Sequence, residues 1–456
     1  MKNVGRLVAA RVACAALAAM IVIPAIIGGT IWLRERAKLR QLAEDLVGGN
    51  RERAETMLLE LGDRGEETLE RAARISPDRI KAECERILRE IRNPRRSPII
   101  ESLLWLARHQ EPDGSWSARS FAGNCVGAPC TGPGDEDLSA GVTGLALLAF
   151  LGAGYSQLSH DMFLWEGHPG RLLHFGRVVK KAFDWLQDQQ GPDGAIGLRG
   201  SKGMYNHMVA AQALSEGYGM TASRPLRAPA QRAMDFIVAA QNPGKGWGTS
   251  PRGGQSNSSV TGWAVMALKS AELSELLFPR SSYDSALSWY EDVTDPVSQE
   301  VGHTKKGPEG ICREGEASFD RHPTMEALGT MGLIFMLKRK TDARYGALKL
   351  VVGDLPEWKA KKIDFTYWHF GSVATFQLDG PDGPLWTRWK DPVRDALLPH
   401  QRTAADGCAK GSWDPEEDRW GSVGGRVYAV AMNAMTLEVY YRYANVFKGA
   451  ASANQK

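Results

Sequence analysis

The sequence has little net charge and lacks the common motifs of cofactor-dependent and hydrolytic enzymes. Over 456 residues, 56 Lys and Arg balance 53 Asp and Glu, and the formal net charge is +3. This balance gives no electrostatic footprint for nucleic acid. The chain has no P-loop, no Gly-x-Ser-x-Gly nucleophile elbow and no His-Glu-x-x-His pair. We therefore expect no cofactor and no nucleic-acid partner.

What the sequence does contain is a repeated phrase, in which an apolar helix leads through Gln into a Gly-containing turn. The copies read WLARHQEPDGSW from Trp105, WLQDQQGPDGAIG from Trp185, FIVAAQNPGKGWG from Phe236 and LLPHQRTAADGCAKGSW from Leu397. Pro fixes one dihedral, Asp caps its own backbone and Gly supplies positive φ, so the phrase predicts a tight reversal. Because it recurs, we interpret its Gln and Trp as scaffold that ties each turn to a neighbouring helix.

Each turn is followed by Gly-rich chain and then by a second helix without a strong polar face. Six such segments begin at Val142, Met208, Val260, Thr324, Tyr367 and Gly424. Helices that are apolar all round are buried, whereas the first helices carry charges such as Lys180 and Asp184. The pattern predicts an all-α fold, with six buried helices inside six amphipathic ones in an (α/α)6 toroid.

The Gln-x-Pro-Asp-Gly-Ser-Trp turns and the six helix pairs resemble the prenyltransferase and squalene-cyclase (terpenoid cyclase) repeat superfamily over residues 97–447. The C-terminal stretch WGSVGGRVYAVAMNAMTLEVYYRY is most similar to uncharacterised bacterial membrane-associated members. The resemblance implies the toroid. It implies much less about chemistry, because one fold hosts unrelated functions.

The first 96 residues of the sequence predict an anchor and a spacer. Residues 12–33 are uncharged and long enough to span a bilayer, so we assign residues 1–33 to a single-pass membrane anchor; a signal peptide is the competing interpretation. Basic residues flank the run on both sides, so charge does not set its orientation; the cysteines in predicted loops favour an extracytoplasmic toroid. Residues 34–96 have helical periodicity and resemble a HEAT-like hairpin, which would space the ring from the membrane. Residues 448–456 are predicted to be a disordered tail.

Four of the six cysteines lie in predicted loops. Cys125 and Cys130 bracket a Gly-Pro-containing loop, while Cys312 and Cys408 lie in later Gly-rich loops. In an oxidising compartment these four would form disulfides. The alternative is that all four are reduced and unpaired.

Two chemistries of the resembled superfamily leave little trace in this sequence. The Asp-x-Asp-Asp acid of characterised cyclases is absent, and the acidic cluster Asp135-Glu136-Asp137 is more typical of a solvated or helix-capping loop. Protein prenyltransferases hold zinc with Asp, Cys and His. Asp406 and Cys408 match that pair only superficially, with His322, His369 or His400 as the remaining candidate ligand.

The better pocket candidates are polar residues at the starts of the inner helices, which in a toroid face a shared funnel. The candidate funnel residues are Tyr205, His207, His322, Tyr367 and Trp368. The candidate catalytic residues are Asp320, Asp364 and His369. The competing interpretation makes the two carboxylates helix N-caps and the aromatics core.

Three functions remain open on the sequence. The favoured one is a membrane-anchored, non-catalytic binding or scaffold module for an apolar, isoprenoid-like ligand or a peptide. The alternative is a diverged terpenoid cyclase or prenyltransferase that acts on an isoprenoid. The third is an assembly factor that binds a protein partner through the HEAT-like hairpin.

Overall fold

The computed structural model describes residues 97–165, 171–197, 202–307, 321–339 and 341–442. The predicted anchor, the HEAT-like spacer, Asp320 and Cys312 lie outside these residues. Within the described part, no helix combines the length and the apolar character that a membrane crossing requires. The described chain is mostly helical, as the sequence predicts.

The inner helices have the positions expected from their apolar character. They are α2 (Ser139–Gly152), α4 (Gly203–Thr221), α6 (Ser258–Leu273), α8 (Thr324–Leu337), α10 (Phe365–Asp379) and α12 (Gly421–Arg442). Each packs against the next, and α12 packs against α2. The six helices therefore form a closed ring, an arrangement consistent with an α/α toroid.

The outer helices are amphipathic. They are α1 (Pro98–Arg108), α3 (Phe175–Asp188), α5 (Arg224–Ala240), α7 (Ser281–Val293) and α11 (Pro384–Leu397), with the short α9 (Leu348–Val351) between α8 and α10. In α3, Val179 and Phe183 are buried, while Lys180 and Asp184 form an exposed ion pair at 2.6 Å. A charged stripe on one face and an apolar stripe on the other place such a helix at the surface of a ring.

The repeated turns lock neighbouring outer helices together by one recurring pair of hydrogen bonds. The Gln110 amide donates to Gly114 O and, on α3, to Val178 O, both at 2.9 Å. Gln190 and Gln241 form the same pair of bonds with their own turns and with α5 and α7. The described contacts thus bear out the scaffold interpretation of these amides.

The glycine and tryptophan of the turn have equally specific roles. Gly114 has φ +99°, and a Cβ there would lie 2.3 Å from the carbonyl oxygen of Lys181 on α3, so no larger residue fits between the turn and that helix. Trp116 is fully buried, and its Nε1 donates to Leu106 O at 2.8 Å. Trp247 and Trp413 repeat this bond to the preceding outer helix.

A short hairpin belongs to a second compact unit, which contains residues 160–174. Its strands are β1 (Met162–Leu164) and β2 (Leu172–His174), antiparallel with Phe163 opposite Leu173. The helical repeat pattern gave no sign of these strands.

Candidate metal centre and ring cavity

His109 is the first member of a cluster at the seam between the start and the end of the ring. It caps the C-terminus of α1 and is fully buried. Its imidazole stacks on Trp105, with ring centroids 4.1 Å apart. Its Nδ1 donates to Trp105 O at 2.7 Å, which directs Nε2 away from α1 and leaves it free to act as a ligand.

Three cysteine sulfurs surround that nitrogen. The distance from His109 Nε2 is 3.4 Å to Cys125 Sγ, 3.8 Å to Cys130 Sγ and 3.4 Å to Cys408 Sγ. All four donor atoms lie within 4.8 Å of one another. Cys125 and Cys130 come from the loop that follows the first turn, whereas Cys408 comes from the other end of the ring.

Backbone N–H groups point at two of the sulfurs. Cys130 N donates to Cys125 Sγ at 3.2 Å, and Val126 N donates to Cys408 Sγ at 3.3 Å. Hydrogen bonds of this kind favour the thiolate over the thiol. The backbone around the cluster therefore stabilises the thiolate form of Cys125 and Cys408.

The contacts within the cluster shift the pKa values of two of its thiols in opposite directions. The hydrogen bond from Cys130 and the neighbouring His109 lower the pKa of Cys408 to about 3, and the same pairing raises the pKa of Cys130. Burial pulls the pKa of His109 down, but its bonds with Cys125, Cys408 and Trp105 O outweigh burial and raise it. These contacts favour the thiolate form of Cys408, and the thiolate is the ligand form of cysteine.

These distances fit a tetrahedral ion. With Zn–S near 2.3 Å and Zn–N near 2.0 Å, a tetrahedron has S···N edges of about 3.5 Å, and the observed edges are 3.4, 3.4 and 3.8 Å. Three thiolates and one imidazole are also a set that soft, borderline Zn²⁺ prefers. Cys125, Cys130 and Cys408 are free thiols in the structure, not members of the disulfides considered above.

Other contacts hold the same seam. Gln401 donates to Gly411 O at 3.1 Å and to Pro98 O of α1 at 2.8 Å, so the last turn is tied to the first outer helix. Arg426 is buried; it donates to Thr131 O at 2.8 Å and pairs with Asp414. The cluster therefore lies where the two ends of the ring meet.

A cavity of about 250 Å³ opens among the N-terminal halves of the inner helices. Its wall includes one residue or more from every inner helix, for example Val142, Val209, Trp263, Leu328, Thr366 and Tyr428. Most of the wall is apolar. This is the shared funnel that a closed ring predicts.

Hydroxyl groups interrupt the apolar wall at two places. On one side Tyr205 OH lies 2.7 Å from Ser259 Oγ. On the other side Thr366 Oγ1 lies 2.9 Å from Tyr428 OH. Behind Tyr428 is Asp418, whose pKa is raised by burial and by the charge of Asp364. Asp418 accepts from Phe365 N and Trp420 N at 2.7 and 2.9 Å, as a capping carboxylate does.

The structure distributes the predicted funnel residues between the cavity and the core. Tyr205 lines the cavity. His207 is buried, accepts from Ile196 N through Nδ1 at 3.0 Å and donates to Ala233 O through Nε2 at 3.1 Å. Burial lowers the pKa of His207 to about 4, so this imidazole is a neutral bridge between a turn and an outer helix.

His322 and Tyr367 form a stacked pair away from the cavity wall, with ring centroids 5.0 Å apart. His322 donates to Asp354 at 2.5 Å and to Lys362 O at 2.9 Å, so both ring nitrogens are occupied. Tyr367 OH donates to Asp354 O at 2.6 Å. Trp368 is fully buried and packs edge-on against Phe365.

The remaining candidates have structural partners. Asp364 is the N-cap of α10 and accepts from Tyr367 N at 2.8 Å. His369 is buried, with Nδ1 3.4 Å from Thr436 Oγ1. Asp406 accepts from Thr403 N at 2.6 Å in a capping box and is not among the four clustered donors. His400 stacks on Trp358.

Sequence reasoning missed His109 and the grouping of Cys125 and Cys130 with Cys408. The spacing of the first three residues offered a signal, because a His lies shortly before a Cys-x4-Cys pair. The fourth ligand follows about 280 residues later, and only the closed ring brings it to the others. Ser259, Thr366, Asp418 and Tyr428, at or behind the cavity wall, were missed as well, since none belongs to a local motif.

Comparison with known proteins gives structural neighbours alone. No family model and no curated protein matches the chain. One solved structure is an inactive variant of an α-1,6-mannanase of Salegentibacter sp. HEL1_6 in complex with α-1,6-mannotriose, at 13% identity and a TM-score of 0.48, covering 74% of this chain and 97% of that one. A novel α-amylase from Clostridium perfringens is similar at 10% identity and a TM-score of 0.46, over 76% and 98%. A protein from Actinoplanes is similar at 16% identity and a TM-score of 0.41, covering 75% of this chain and 97% of that one.

These findings correct the resemblance drawn from the repeats. Two of these three neighbours bear the names of glycosidases, none of the three is named as a prenyltransferase or squalene cyclase, and no family model supports that superfamily. The prediction of that superfamily is therefore wrong, and so are the isoprenoid scaffold and terpenoid cyclase functions that followed from it. Packing of a small-residue helix against a Gln- and Gly-containing turn is a general solution for an α/α ring, which is why the motif misled.

Proposed function

We propose that this chain is a metal-binding (α/α)6 toroid in which one zinc ion fastens the end of the ring to its beginning. The ligands are His109, Cys125, Cys130 and Cys408. The observation that carries the proposal is the convergence of these four donor atoms within 4.8 Å, with S···N distances that fit the edges of a zinc tetrahedron.

The donor set favours a structural ion. Four protein ligands fill a tetrahedral zinc site and leave no open position for water or substrate. The bond from His109 Nδ1 to Trp105 O is the kind of outer contact that fixes a ligand imidazole. The chemistry that the ion would supply here is cross-linking.

The site lies where a cross-link would join the two ends of the ring. In an open stack of repeats the end units each lack one neighbour, whereas in this ring α12 packs against both α1 and α2. The loops that carry Cys125 and Cys408 contain only short 3-10 helices. An ion between Cys408 and the 109–130 segment would hold these loops together at the seam of the ring.

The test is the metal content of the full-length chain, purified in detergent without added metal. We expect one zinc per chain by elemental mass spectrometry. Cys408→Ser and His109→Ala should each lose the ion, because a tetrahedral site with three ligands binds zinc far more weakly. Cys84→Ser removes a thiol that is not one of the four ligands and serves as the matched control.

Substitution with Co²⁺ gives an independent readout, since thiolate-to-cobalt charge-transfer bands report the number of sulfur ligands. A wild-type chain that contains no zinc and takes up neither Zn²⁺ nor Co²⁺ overturns the proposal. Loss of zinc from Cys84→Ser to the same extent as from Cys408→Ser overturns the assignment of the ligands.

We also propose that residues 12–33 anchor the ring to a membrane and that residues 34–96 form the spacer. The support is the length and lack of charge of the first segment and the helical periodicity of the second. Extraction of cell membranes with alkaline carbonate tests the anchor. We expect the full chain to stay in the pellet, and release into the supernatant contradicts a spanning anchor.

A further inference from the structure

A serine and a histidine are hydrogen bonded at the wall of the ring cavity. Ser259 lines the cavity on α6, and its Oγ lies 3.2 Å from Nε2 of His303. Tyr205 OH, which also lines the cavity, lies 2.7 Å from the same Oγ. None of these three residues belongs to the metal cluster or to a repeated turn.

The serine hydroxyl has two acceptors within reach, Asn257 Oδ1 and His303 Nε2. When Tyr205 OH donates to Ser259 Oγ, the serine hydrogen must go to one of two acceptors, His303 Nε2 or Asn257 Oδ1 at 3.1 Å. Asn257 already accepts from Val260 N at 2.8 Å as the N-cap of α6. Of the two acceptors, only the imidazole is a base.

His303 has the protonation state that a base needs. Its carbonyl accepts from Ser258 N at 2.8 Å, which fixes this residue beside the start of α6. Burial lowers the pKa of His303 below its usual value of 6.5, so the imidazole is neutral at neutral pH. A serine within hydrogen-bond reach of a neutral imidazole is the arrangement of an activated nucleophile.

The helix geometry places positive charge next to the serine. Ser259 is the second residue of α6, and N–H groups in the first turn of a helix have no intrahelical acceptor. The positive end of the helix dipole adds to them. The N–H groups of Ser258 and Val260 are already bonded to His303 O and Asn257 Oδ1, so it is the helix dipole that would stabilise negative charge on an oxygen bonded to Ser259.

We propose that Ser259 is a nucleophile for acyl transfer, with His303 as its general base, and that the substrate is an ester of a small apolar carboxylic acid. The cavity volume of about 250 Å³ exceeds the roughly 150 Å³ that accepts benzene in an apolar protein interior. The apolar wall suits the acyl chain, while the hydroxyls of Ser259 and Tyr205 meet the carbonyl.

The reaction proceeds in two balanced halves. Ser259 Oγ bonds to the ester carbonyl carbon and gives its proton to His303 Nε2. The carbon–oxygen bond to the alcohol then breaks, and the alkoxide leaves with the proton from His303. In the second half, His303 takes a proton from water, the hydroxide attacks the acyl carbon, and Ser259 Oγ leaves with that proton as the acid is released.

The test is covalent labelling of the zinc-loaded full-length chain by an alkyl fluorophosphonate, which phosphonylates an activated serine with loss of fluoride. Peptide mass spectrometry should find one phosphonyl group per chain, on Ser259. His303→Gln should label about 100-fold more slowly, because a positioned base contributes that much or more. Ser270→Ala changes a serine at the other end of α6, bonded to Glu216, and should label as the wild type does.

A second assay uses p-nitrophenyl butyrate, whose hydrolysis should show an initial burst of one nitrophenol per chain. Ser259→Ala should abolish both the burst and the label, and its thermal unfolding is recorded beside the wild type to show that the ring is folded. An unlabelled Ser259 in the folded wild-type chain overturns the proposal. So does labelling of His303→Gln at the wild-type rate, because Ser259 would then react without a base.

Discussion

Removal of zinc should lower the Tm of the ring. The size of the effect depends on the length of the loop that the ion closes between Cys130 and Cys408. Three ligands, His109, Cys125 and Cys130, are close in sequence, so the longest loop that an unfolded chain must close to assemble the site is the one to Cys408. Cys408 follows about 280 residues after Cys130, and closing a loop of that length costs an unfolded chain about 6 kcal/mol. The folded ring brings Cys408 to the ion without this cost.

The bond to Cys408 is therefore expected to stabilise the folded ring by at most about 6 kcal/mol. Unfolding entropy of about 2.1 cal/mol/K per residue over roughly 350 ring residues converts this into a shift of about 8 °C in Tm. The assay is calorimetry of the full-length chain before and after stripping with a chelator, then after zinc is restored.

The matched variant for this experiment is Cys408→Ser. If the thiol acts through the ion, the stripped wild type and Cys408→Ser should melt at the same temperature, both below the zinc-loaded wild type. A Tm that is unchanged by stripping refutes the reasoning. So does a drop in Cys408→Ser that is equally large in the stripped proteins, since the thiol would then act by packing alone.

Three further outcomes follow from the contacts. Gln401→Ala should lower the free energy of unfolding in urea by about 1–3 kcal/mol, because Gly411 O loses its side-chain donor and Pro98 O keeps only the Ser102 hydroxyl as a side-chain donor. Gly114→Ala should cost about 2 kcal/mol or more in the same measurement, since a Cβ would meet Lys181 O at 2.3 Å with φ at +99°. Although burial lowers the pKa of His322, its hydrogen bond to Asp354 and the charges of Asp364 and Asp354 raise it overall. The His322–Asp354 pair therefore contributes its full stability below the ordinary pKa of 6.5, and this contribution is lost as the pH rises through the raised pKa of the folded state. Urea titrations from about pH 5 to pH 9 should show this decline, and Asp354→Asn should remove it.

Each of these outcomes has a control in the same chain. Gln187→Ala removes an amide that donates only within α3, to Phe183 O, and should cost much less than Gln401→Ala. Gly154→Ala has a comparable φ of +91° but open space around its Cβ, so its cost in free energy of unfolding reports the backbone strain alone. Asp391→Asn alters an exposed ion pair and should leave the pH slope unchanged. Equal effects in a variant and its control contradict the corresponding interpretation.

The turn motif shows what a repeat can and cannot reveal. The Gln, Gly and Trp positions indicated tight reversals and paired helices, and the structure shows the same bonds at successive turns. The same motif suggested a superfamily that the comparisons do not support. A turn that solves a packing problem is specified by geometry, so it identifies an architecture and not a chemistry.

The predicted funnel and catalytic residues show a second limit of sequence reasoning. His207, His322 and Asp364 stood out in the sequence as polar residues at the starts of apolar helices, yet each meets backbone or charged partners in the core. Their polarity serves helix ends and turns, which must satisfy unpaired backbone groups. Sequence position alone does not distinguish that role from one in a cavity.

The sequence by itself determined the helices, their pairing and the turns, because periodicity and turn chemistry act over a few residues. Only the tertiary structure decided which distant side chains meet. Ring closure brings Cys408 to His109, and the neighbouring inner helices and loops bring Tyr205 and His303 to Ser259. Contacts between residues so far apart in sequence depend on the path of the whole chain, and no local sequence pattern predicts them.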